Sequence, residues 1–277
     1  MNNKIAVITG ATGGIGRIVC KYLIDKGYIV YAAYRSTRKR DELRNYIAQT
    51  GGSNNLNLLS VDLKSFTSVR EFCAKIVESI HGDKIDILIN NAGVIAPLYE
   101  ITEDGYESSM QVNYLSARLI TETLLPHISG KIINTVSCSI TKGECKKPEK
   151  KSVPEKHSQS TIASLKHYSN SKLMLALYTV ALHREVGMLH NDTINPIAIY
   201  GADPGIVNTS IISMHRWYDP IADLIFRPFI KSPEQGAKPL INAIEHNHTA
   251  NDKMKRHPLL FAGNGTKEFP KKIKNIL

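Results

Sequence analysis

Three side chains in the second half of the sequence have the chemistry needed to move a proton to or from an oxygen atom. Tyr168 and Lys172 are four residues apart and therefore share one face of a helix, and Ser137 is a hydroxyl donor upstream of them. A free tyrosine has a pKa near ~10, and an adjacent ammonium favours its phenolate form. Ser137 can orient a substrate oxygen by hydrogen bonding. These types predict an acid–base site, although an isolated Tyr-x-x-x-Lys pair is more often an ordinary pair of helix neighbours.

Such side chains need rigid elements to bring them together, and the surrounding pattern predicts these elements. Apolar residues recur at helical spacing from His167 to about Gly187, which predicts a buried helix that carries Tyr168 and Lys172. Lys131 to Val136 is typical of a buried strand, with Ser137 just past its carboxyl end. The carboxyl ends of parallel strands face the ligand crevice, so we expect the three side chains to meet there.

A glycine-rich turn near the amino terminus predicts another part of the same crevice. Thr9 to Gly16 contains four glycines in eight residues and follows the apolar run Ile5 to Ile8. Glycine permits a tight turn and the close approach of a phosphate, and the helix start at about Gly14 to Arg17 would receive the negative charge of a pyrophosphate. A strand precedes the turn and the amphipathic stretch Ile15 to Lys26 follows it, so we interpret it as a dinucleotide site and not as a simple chain reversal.

The rest of the chain alternates apolar runs with helical stretches. Further strands are predicted at Ile29 to Ala33, Leu56 to Val61, Ile85 to Ile89, Ile197 to Ala202 and Pro258 to Ala262, and further helices at Thr37 to Gln49, Ser65 to His81, Met110 to Leu125 and a last one from Ser232. This order predicts an α/β, Rossmann-like, doubly wound parallel sheet of about seven strands with helices on both faces. We expect one NAD(P)-binding domain, residues 1–277, with a Lys-rich surface insertion near 141–166 and an apolar substrate lid near 208–231 that contains Trp217.

Some polar and small residues near the crevice have two interpretations each. Asp62 closes the third strand, where it could accept a hydrogen bond from an adenine amino group or cap the next helix. Asn113 could open a kink in its helix and hold a water molecule, but the helical pattern alone favours a solvent-facing side chain. Ala92 and Gly93 would let backbone lie close to a nucleotide, although a plain turn would also use such residues.

The composition is that of a globular protein with excess positive charge. Lys plus Arg exceed Asp plus Glu by 35 to 25, for a net charge of +10. Much of the excess lies in 142–156 and after Lys253, without the aromatic-basic interleaving that is typical of nucleic-acid binding, so we expect no nucleic-acid partner. A solvated basic loop is the simpler interpretation, and attraction of a phosphorylated cofactor, an anionic substrate or a membrane surface is the functional one.

Cysteine usage and hydropathy favour a cytoplasmic protein. The four cysteines lack CxxC spacing, which is typical of reduced thiols, and no metal site is predicted. No apolar run is long enough to span a membrane, and the first strand begins at once, so we expect no signal peptide. A weak membrane-surface contact through Phe226, Phe229 and the tail Phe269 to Lys274 is a further hypothesis.

Taken together in this order, the motifs resemble the classical short-chain dehydrogenase/reductase family over nearly the whole chain. The matching set is Thr9-Gly10-xxx-Gly14-x-Gly16, Asp62, Asn90-Asn91-Ala92-Gly93, Asn113, Ser137, Tyr168-xxx-Lys172 and Pro204-Gly205. Gln111 to Leu115, Tyr168 to Leu173 and Ser232 to Ala237 are similar to the retinol dehydrogenase-like branch. One departure is Ser137-Cys138-Ser139 in place of the usual serine pair, which makes Ser139 a weaker candidate for the serine role.

The resemblance implies a catalytic tetrad of Asn113, Ser137, Tyr168 and Lys172. It also implies that Asn113 holds a water of a proton relay, that Lys172 binds the nicotinamide ribose, and that the protein forms a homodimer or homotetramer through the helices of Asn113 and Tyr168. The candidate cofactor-binding set is Gly10, Thr12, Gly13, Gly14, Ile15, Gly16, Arg35, Asp62, Leu63, Asn91, Ala92, Gly93, Tyr168, Lys172, Pro204, Gly205, Val207 and Thr209.

The residue after the second strand indicates which dinucleotide is preferred. An acid at this position would accept from the ribose 2′-hydroxyl and repel a 2′-phosphate, but the sequence has Arg35, whose planar fork matches a phosphate. Arg38, Lys39 and Arg40 add positive charge, so NADP(H) is favoured over NAD(H). The alternative interpretation is a solvent-facing basic helix start.

The expected function is that of an NADP(H)-dependent oxidoreductase that interconverts an alcohol and a carbonyl on an apolar, retinoid-, steroid- or lipid-like small molecule. Tyr168 would move the proton while hydride passes to or from the nicotinamide. The alternative is a redox sensor or scaffold that binds NADP(H) without catalysis. The complete tetrad argues against it, because a sensor has no physical need for Tyr168 together with Lys172.

Overall fold

Eight strands lie side by side in one sheet within the part of the chain that the structure describes. This computed structural model describes residues 3–49, 51–96, 99–150, 160–189, 197–207, 231–247, 252, 257–263 and 265–276. The strands are β1 (Lys4–Ile8), β2 (Tyr28–Tyr34), β3 (Leu56–Ser60), β4 (Ile85–Asn90), β5 (Ile128–Thr135), β6 (Ala198–Asp203), β7 (Leu259–Ala262) and β8 (Gly265–Lys267). They are ordered β3-β2-β1-β4-β5-β6-β7-β8, and β8 alone among these pairs antiparallel, with β7. The predicted Rossmann-like fold is confirmed, with one strand more than expected.

Helices cover both faces of the sheet. They are α1 (Gly14–Asp25), α2 (Thr37–Ala48), α3 (Phe66–Ser79), α4 in three consecutive segments (α-helical Ser108–Met110, π-helical Gln111–Leu115 and α-helical Ser116–Leu124), α5 (Thr161–Leu189), α6 (Pro233–Glu245) and α7 (Lys271–Ile276). Successive strand residues point to opposite faces, so Ala6 and Ile8 pack with α1, α2 and α6, whereas Ile5 and Val7 pack with α3, α4 and α5. Both faces are buried, and this explains why the strands are almost continuously apolar.

The order of the strands creates the crevice that the sequence predicts. From β1 the chain moves to one side through β2 and β3 and then returns to the other side of β1 through β4, β5 and β6. The connections after β1 and β4 therefore diverge at the carboxyl edge, which is where doubly wound sheets bind their ligands.

Helix α5 begins earlier than the sequence pattern predicts. It starts at Thr161 and not at His167, because Ser160 caps it: the Ser160 Oγ accepts from Ala163 N at 3.1 Å, and the Ser160 carbonyl accepts from Ser164 N at 3.0 Å. Residues 161–166 of the predicted insertion are therefore helical. Residues 151–159 of that insertion and residues 208–230 of the predicted lid, with Trp217, lie outside the described residues.

The carboxyl-terminal region also differs from the prediction, since β8 and α7 follow the strand and helix expected to be last. The three residues of β8 are all exposed and carry no apolar pattern by which to predict it. Phe269 is only 1% exposed and Ile273 is fully buried. Both belong to a buried apolar cluster that also contains Val136, the residue directly after β5, and Leu260. The hypothesis of membrane contact through these two residues is therefore wrong, while Phe226 and Phe229 lie outside the described part. Among the described residues, no helix is both long and apolar enough to cross a membrane.

Candidate active site

The turn between β1 and α1 leaves room for no side chain at two of its glycines. Gly10 has φ +66°, and a Cβ on it would lie 2.8 Å from the Cα of Ala92. A Cβ on Gly16 would lie 2.0 Å from the carbonyl oxygen of Gly10, which also accepts from Gly13 N at 3.1 Å. Within the described residues no side chain caps α1, and its first turn has no acidic residue, so its first amide N–H groups can bind an anion. These features fit a pyrophosphate group.

Thr9, which is not among the predicted site residues, joins this turn to the end of β4. Its buried Oγ1 accepts from the backbone N of Asn91 and of Ala92, each at 3.1 Å. The Asn91 Nδ2 in return donates to the carbonyls of Thr9 and Gly10, both at 3.2 Å. The predicted cofactor residues after β1 and after β4 are therefore held together by these hydrogen bonds.

The basic residues after β2 are not equivalent. Arg38 pairs with Glu42 at 3.1 Å, and Arg40 pairs with the neighbouring Asp41 at 2.8 Å. Arg35 is exposed directly beyond the end of β2, and within the described ranges it has no carboxylate partner. Its guanidinium is therefore the uncompensated charge closest to the strand end.

Asp62 and Leu63 lie beyond β3, and neither is free of local contacts. The Asp62 carboxylate accepts from Lys64 N at 2.9 Å, and the residue that caps α3 is Ser65, so the interpretation of Asp62 as the helix cap is wrong. The Leu63 carbonyl accepts from the Ser116 hydroxyl at 2.6 Å. The adenine interpretation of Asp62 stays a prediction.

Asn113 is fully buried, so the solvent-facing interpretation is wrong. It lies in the π-helical segment of α4, as its predicted effect on the helix requires. Its Oδ1 accepts from Val94 N at 2.7 Å, and its Nδ2 donates to the Val94 carbonyl and to the Ser171 hydroxyl, both at 2.9 Å. These bonds tie α4 to the segment after β4 and to α5, and they can form only if the side chain is inside.

Lys172 is 3% exposed and reaches from α5 to the end of β5. Its Nζ donates to the Thr135 carbonyl at 2.7 Å, and a Cβ on Gly93 would lie 3.2 Å from this Nζ. Burial lowers the pKa of Lys172 to about 8, against the opposing effect of the negative charge of Asp203. The ammonium thus lies beside Gly93, one of the predicted cofactor-binding residues.

Tyr168 is partly exposed, and its hydroxyl shares a hydrogen bond with Ser137. Burial raises the pKa of Tyr168 to about 12; the bond from Ser137 lowers it, and Cys138 and Asp203 raise it. The sequence predicts that an adjacent ammonium favours the phenolate, but desolvation is the largest influence on the pKa of Tyr168 and raises it. Tyr168 is therefore a protonated phenol at neutral pH.

Of the two candidate serines, Ser137 is the one that contacts Tyr168. It precedes the short 3₁₀ helix Cys138–Thr141, and its Oγ accepts from Ser139 N at 3.2 Å. The Ser139 hydroxyl is buried, and within the described residues it has no hydrogen-bond partner. Ser137 is thus the serine beside Tyr168, and its role in orienting a substrate oxygen stays a prediction.

The Pro204–Gly205 turn beyond β6 is held from two sides by residues outside the predicted set. Gly205 has φ +75°, and its N donates to the Asp203 carboxylate at 2.9 Å, while Lys231 Nζ donates to the Pro204 carbonyl at 3.3 Å. An Asp before Pro-Gly is a turn signal that could have identified Asp203. The side chain of Val207 is buried, and Thr209 lies outside the described residues.

Comparison with known proteins decides the family. The sequence profile described as short chain dehydrogenase matches residues 4–147. The chain belongs to the short-chain dehydrogenase family. This short-chain dehydrogenase is 31% identical over 246 residues to polyprenol dehydrogenase of Mus musculus, with 87% of this chain and 71% of that protein covered, and 32% identical over 255 residues to retinol dehydrogenase 14 of Mus musculus, with 86% and 72% covered.

The solved structures agree on the fold. A short chain dehydrogenase from Burkholderia cenocepacia J2315 in complex with NADP superposes with a TM-score of 0.67 at 20% identity, over 95% of this chain and 97% of that one. The predicted family and its retinol dehydrogenase-like branch are therefore confirmed, and the protein is an oxidoreductase with a fold that binds NAD(P).

Proposed function

We propose that this protein interconverts an alcohol and a carbonyl on an apolar, retinoid-, steroid- or lipid-like substrate, with NADP(H) as its cofactor. One observation carries the proposal: Ser137, Tyr168 and Lys172 converge at the carboxyl edge of the sheet, beside a glycine cradle shaped for a dinucleotide. Neither a sensor nor a scaffold requires a hydroxyl pair next to a buried ammonium.

The side chains of the site divide the proton transfer between them. When bound, the nicotinamide supplies or accepts the hydride. Ser137 holds the substrate oxygen next to the Tyr168 hydroxyl. In the direction of reduction Tyr168 donates its proton to that oxygen, and in oxidation it takes the proton back. Lys172, with a pKa of about 8, is mostly an ammonium at pH 7 and stabilises the phenolate that donation leaves.

Asn113 acts in this proposal through its position. Both hydrogens of its Nδ2 are used, one on Val94 and one on Ser171, and Ser171 in turn donates to the Tyr168 carbonyl at 2.7 Å. The side chain therefore fixes the helix turn that carries Tyr168 against the segment after β4. The π-helical turn around Asn113 interrupts the regular backbone bonding of α4, and its carbonyls are the groups we assign to the water of the relay.

The choice of NADP(H) rests on Arg35. Its guanidinium is exposed at the strand end, where the ribose of a bound dinucleotide lies in this type of sheet, and it is not neutralised by any carboxylate in the described ranges. Arg38 and Arg40 contribute less, because each already pairs with an acid. A guanidinium favours a 2′-phosphate over a hydroxyl.

The apolar substrate class rests on the surface beside the Pro204–Gly205 turn. Ile206 directly follows the turn and is 47% exposed, one of few large apolar side chains left open in the described part. Val207 and Lys231 form a bridge, so both ends of the predicted lid segment are anchored next to Ile206. Relatives named for retinol and polyprenol support the same class.

The test is turnover with defined carbonyl compounds. Purified protein is incubated with NADPH and a panel of aldehydes and ketones of increasing chain length, retinal included, and nicotinamide absorbance is followed. We expect turnover that is faster with long apolar substrates and with NADPH than with NADH. Binding of NADPH without turnover of any carbonyl would favour the non-catalytic sensor instead.

A further inference from the structure

Asp203 lies where two parts of the candidate active site meet. It follows Ala202, which pairs with Thr135 across β5 and β6 and accepts from Val136 N at 2.8 Å. The Thr135 carbonyl is the acceptor of the Lys172 ammonium. One residue beyond that register, the Asp203 carboxylate therefore stands at the same sheet edge as Lys172.

The same carboxylate shapes the next turn. Its Oδ1 accepts from Gly205 N at 2.9 Å, two residues on, in the geometry of an Asx turn, and Gly205 adopts the left-handed conformation at φ +75°. Lys231 closes the turn from the other side through the Pro204 carbonyl. The position of the turn therefore depends on an acceptor at residue 203.

The negative charge of Asp203 reaches the proton-transfer groups. After the larger effect of burial, it acts on the pKa of Lys172, of Tyr168 and of Cys138, and it raises all three. The ionisable groups on which this charge is seen to act within the described residues are these three, and the Lys231 ammonium lies at the same turn. A buried ammonium with a pKa of about 8 is close to losing its charge at physiological pH, so a nearby anion decides how much of it stays charged.

We propose that Asp203 is a positioning residue with two separable effects: its carboxylate oxygen holds the Pro204–Gly205 turn by accepting from Gly205 N, and its charge keeps Lys172 an ammonium. The proposal deepens the proposed function and rests on it, because it takes the Pro204–Gly205 turn as part of the cofactor site and Lys172 as part of the proton transfer. Asp203 itself transfers no proton.

Two substitutions separate the effects. Asp203→Asn keeps an oxygen acceptor for Gly205 N and removes the charge, whereas Asp203→Ala removes both. We expect Asp203→Asn to bind NADPH within about twofold of wild type and to lose turnover several-fold at pH 7.5, with recovery at lower pH as Lys172 regains its proton. Asp203→Ala should in addition weaken NADPH binding by about fivefold or more, the loss of one charged hydrogen bond. Equal NADPH affinity of all three proteins would refute the effect on the turn.

The charge effect is tested without cofactor or substrate through Cys138. This thiol is exposed, and the other exposed cysteine, Cys145, is removed in a Cys145→Ser background, while Cys20 and Cys73 are buried. Only the thiolate displaces iodide from iodoacetamide, so the rate of alkylation against pH reports the pKa of Cys138.

Matched variants should shift the pH profile of Cys138 alkylation in opposite directions. Asp203→Asn should shift it to lower pH by about 0.5 to 1 unit, the effect of one charge at a partly exposed site. Lys142→Gln should shift it to higher pH, because Lys142 lowers the pKa of Cys138, and Glu71→Gln, which removes a distant exposed charge on α3, should leave it unchanged. Circular dichroism verifies folding of each variant. An unshifted profile for folded Asp203→Asn would overturn the proposal even if carbonyl turnover is established, and the predicted shift would support it even if no substrate is found.

Discussion

A methyl group at position 16 measures how closely the glycine loop is shaped for a dinucleotide. The Cβ of Gly16→Ala would lie 2.0 Å from the Gly10 carbonyl oxygen, and ordinary contact begins at 3.4 Å, so the two must separate by 3.4 − 2.0 = 1.4 Å. Gly10 cannot yield freely, because its carbonyl accepts from Gly13 N and the space beside it is so narrow that a Cβ there would lie 2.8 Å from the Ala92 Cα. Overpacking of this kind costs about 1 to 3 kcal/mol. If the loop gives way, that strain appears as about 5- to 150-fold weaker cofactor binding.

The assay is a titration of NADPH followed by its fluorescence, with thermal unfolding measured in parallel. Gly13→Ala is the matched control, since a Cβ at that position has its nearest contact at 3.4 Å and φ is −82°. We expect Gly13→Ala to weaken NADPH binding by no more than about fivefold, because replacing glycine at this position costs at most about 1 kcal/mol. Wild-type affinity in a folded Gly16→Ala protein would refute the assignment of the loop to the cofactor.

Three further predictions address the other parts of the site. Arg35→Glu should weaken NADPH binding by about tenfold or more and leave NADH binding unchanged or improved, as measured by competition titration; an equal loss for both would show a merely structural role. Ser171→Ala leaves a buried hydrogen of Asn113 Nδ2 without its acceptor and should lower the free energy of unfolding in urea by about 1 to 3 kcal/mol. An unchanged midpoint of urea unfolding would contradict a stabilising role for the bond between Asn113 and Ser171. The folded-state pKa of Lys172, about 8, is below its unfolded value of 10.5, so its burial destabilises the protein most below pH 8 and less as pH rises toward 10.5. The stability of wild type relative to Lys172→Met should therefore rise by about 2 kcal/mol between pH 7 and 9.5, and a constant difference would show that the ammonium is not desolvated.

Most of the fold is predictable from the sequence because the inner strands are buried on both faces and are therefore mostly apolar, whereas β8 is exposed and has no such pattern. Local signals also locate the glycine loop, and the pairing of Tyr168 with Lys172 follows from helix geometry. What the sequence does not show are contacts made across long separations. Asn113 resembles a polar residue on a solvated helix until Val94 and Ser171 are seen to enclose it, and Thr9 acts on residues about eighty positions away.

The incorrect prediction that Phe269 and Ile273 contact a membrane has a similar cause. Phe269 and Ile273 stand among lysines, a pattern that is also typical of an interfacial segment. A Cβ on Gly201 would lie 2.6 Å from the Phe269 ring, which shows that the space for this ring is made by a glycine in β6. No local sequence pattern indicates the space that Gly201 leaves for the Phe269 ring, so only the packed structure reveals it.

The most direct test of the proposed chemistry is the Tyr168→Phe protein. Phenylalanine keeps the ring and loses only the hydroxyl that meets Ser137, so NADPH should bind within about threefold of wild type, while carbonyl reduction should fall by about 10²- to 10⁴-fold, the usual contribution of a positioned acid. NADPH affinity and the turnover number are measured on the same preparation. Turnover within about fivefold of wild type, with cofactor bound, would contradict the assignment of Tyr168 as the proton donor.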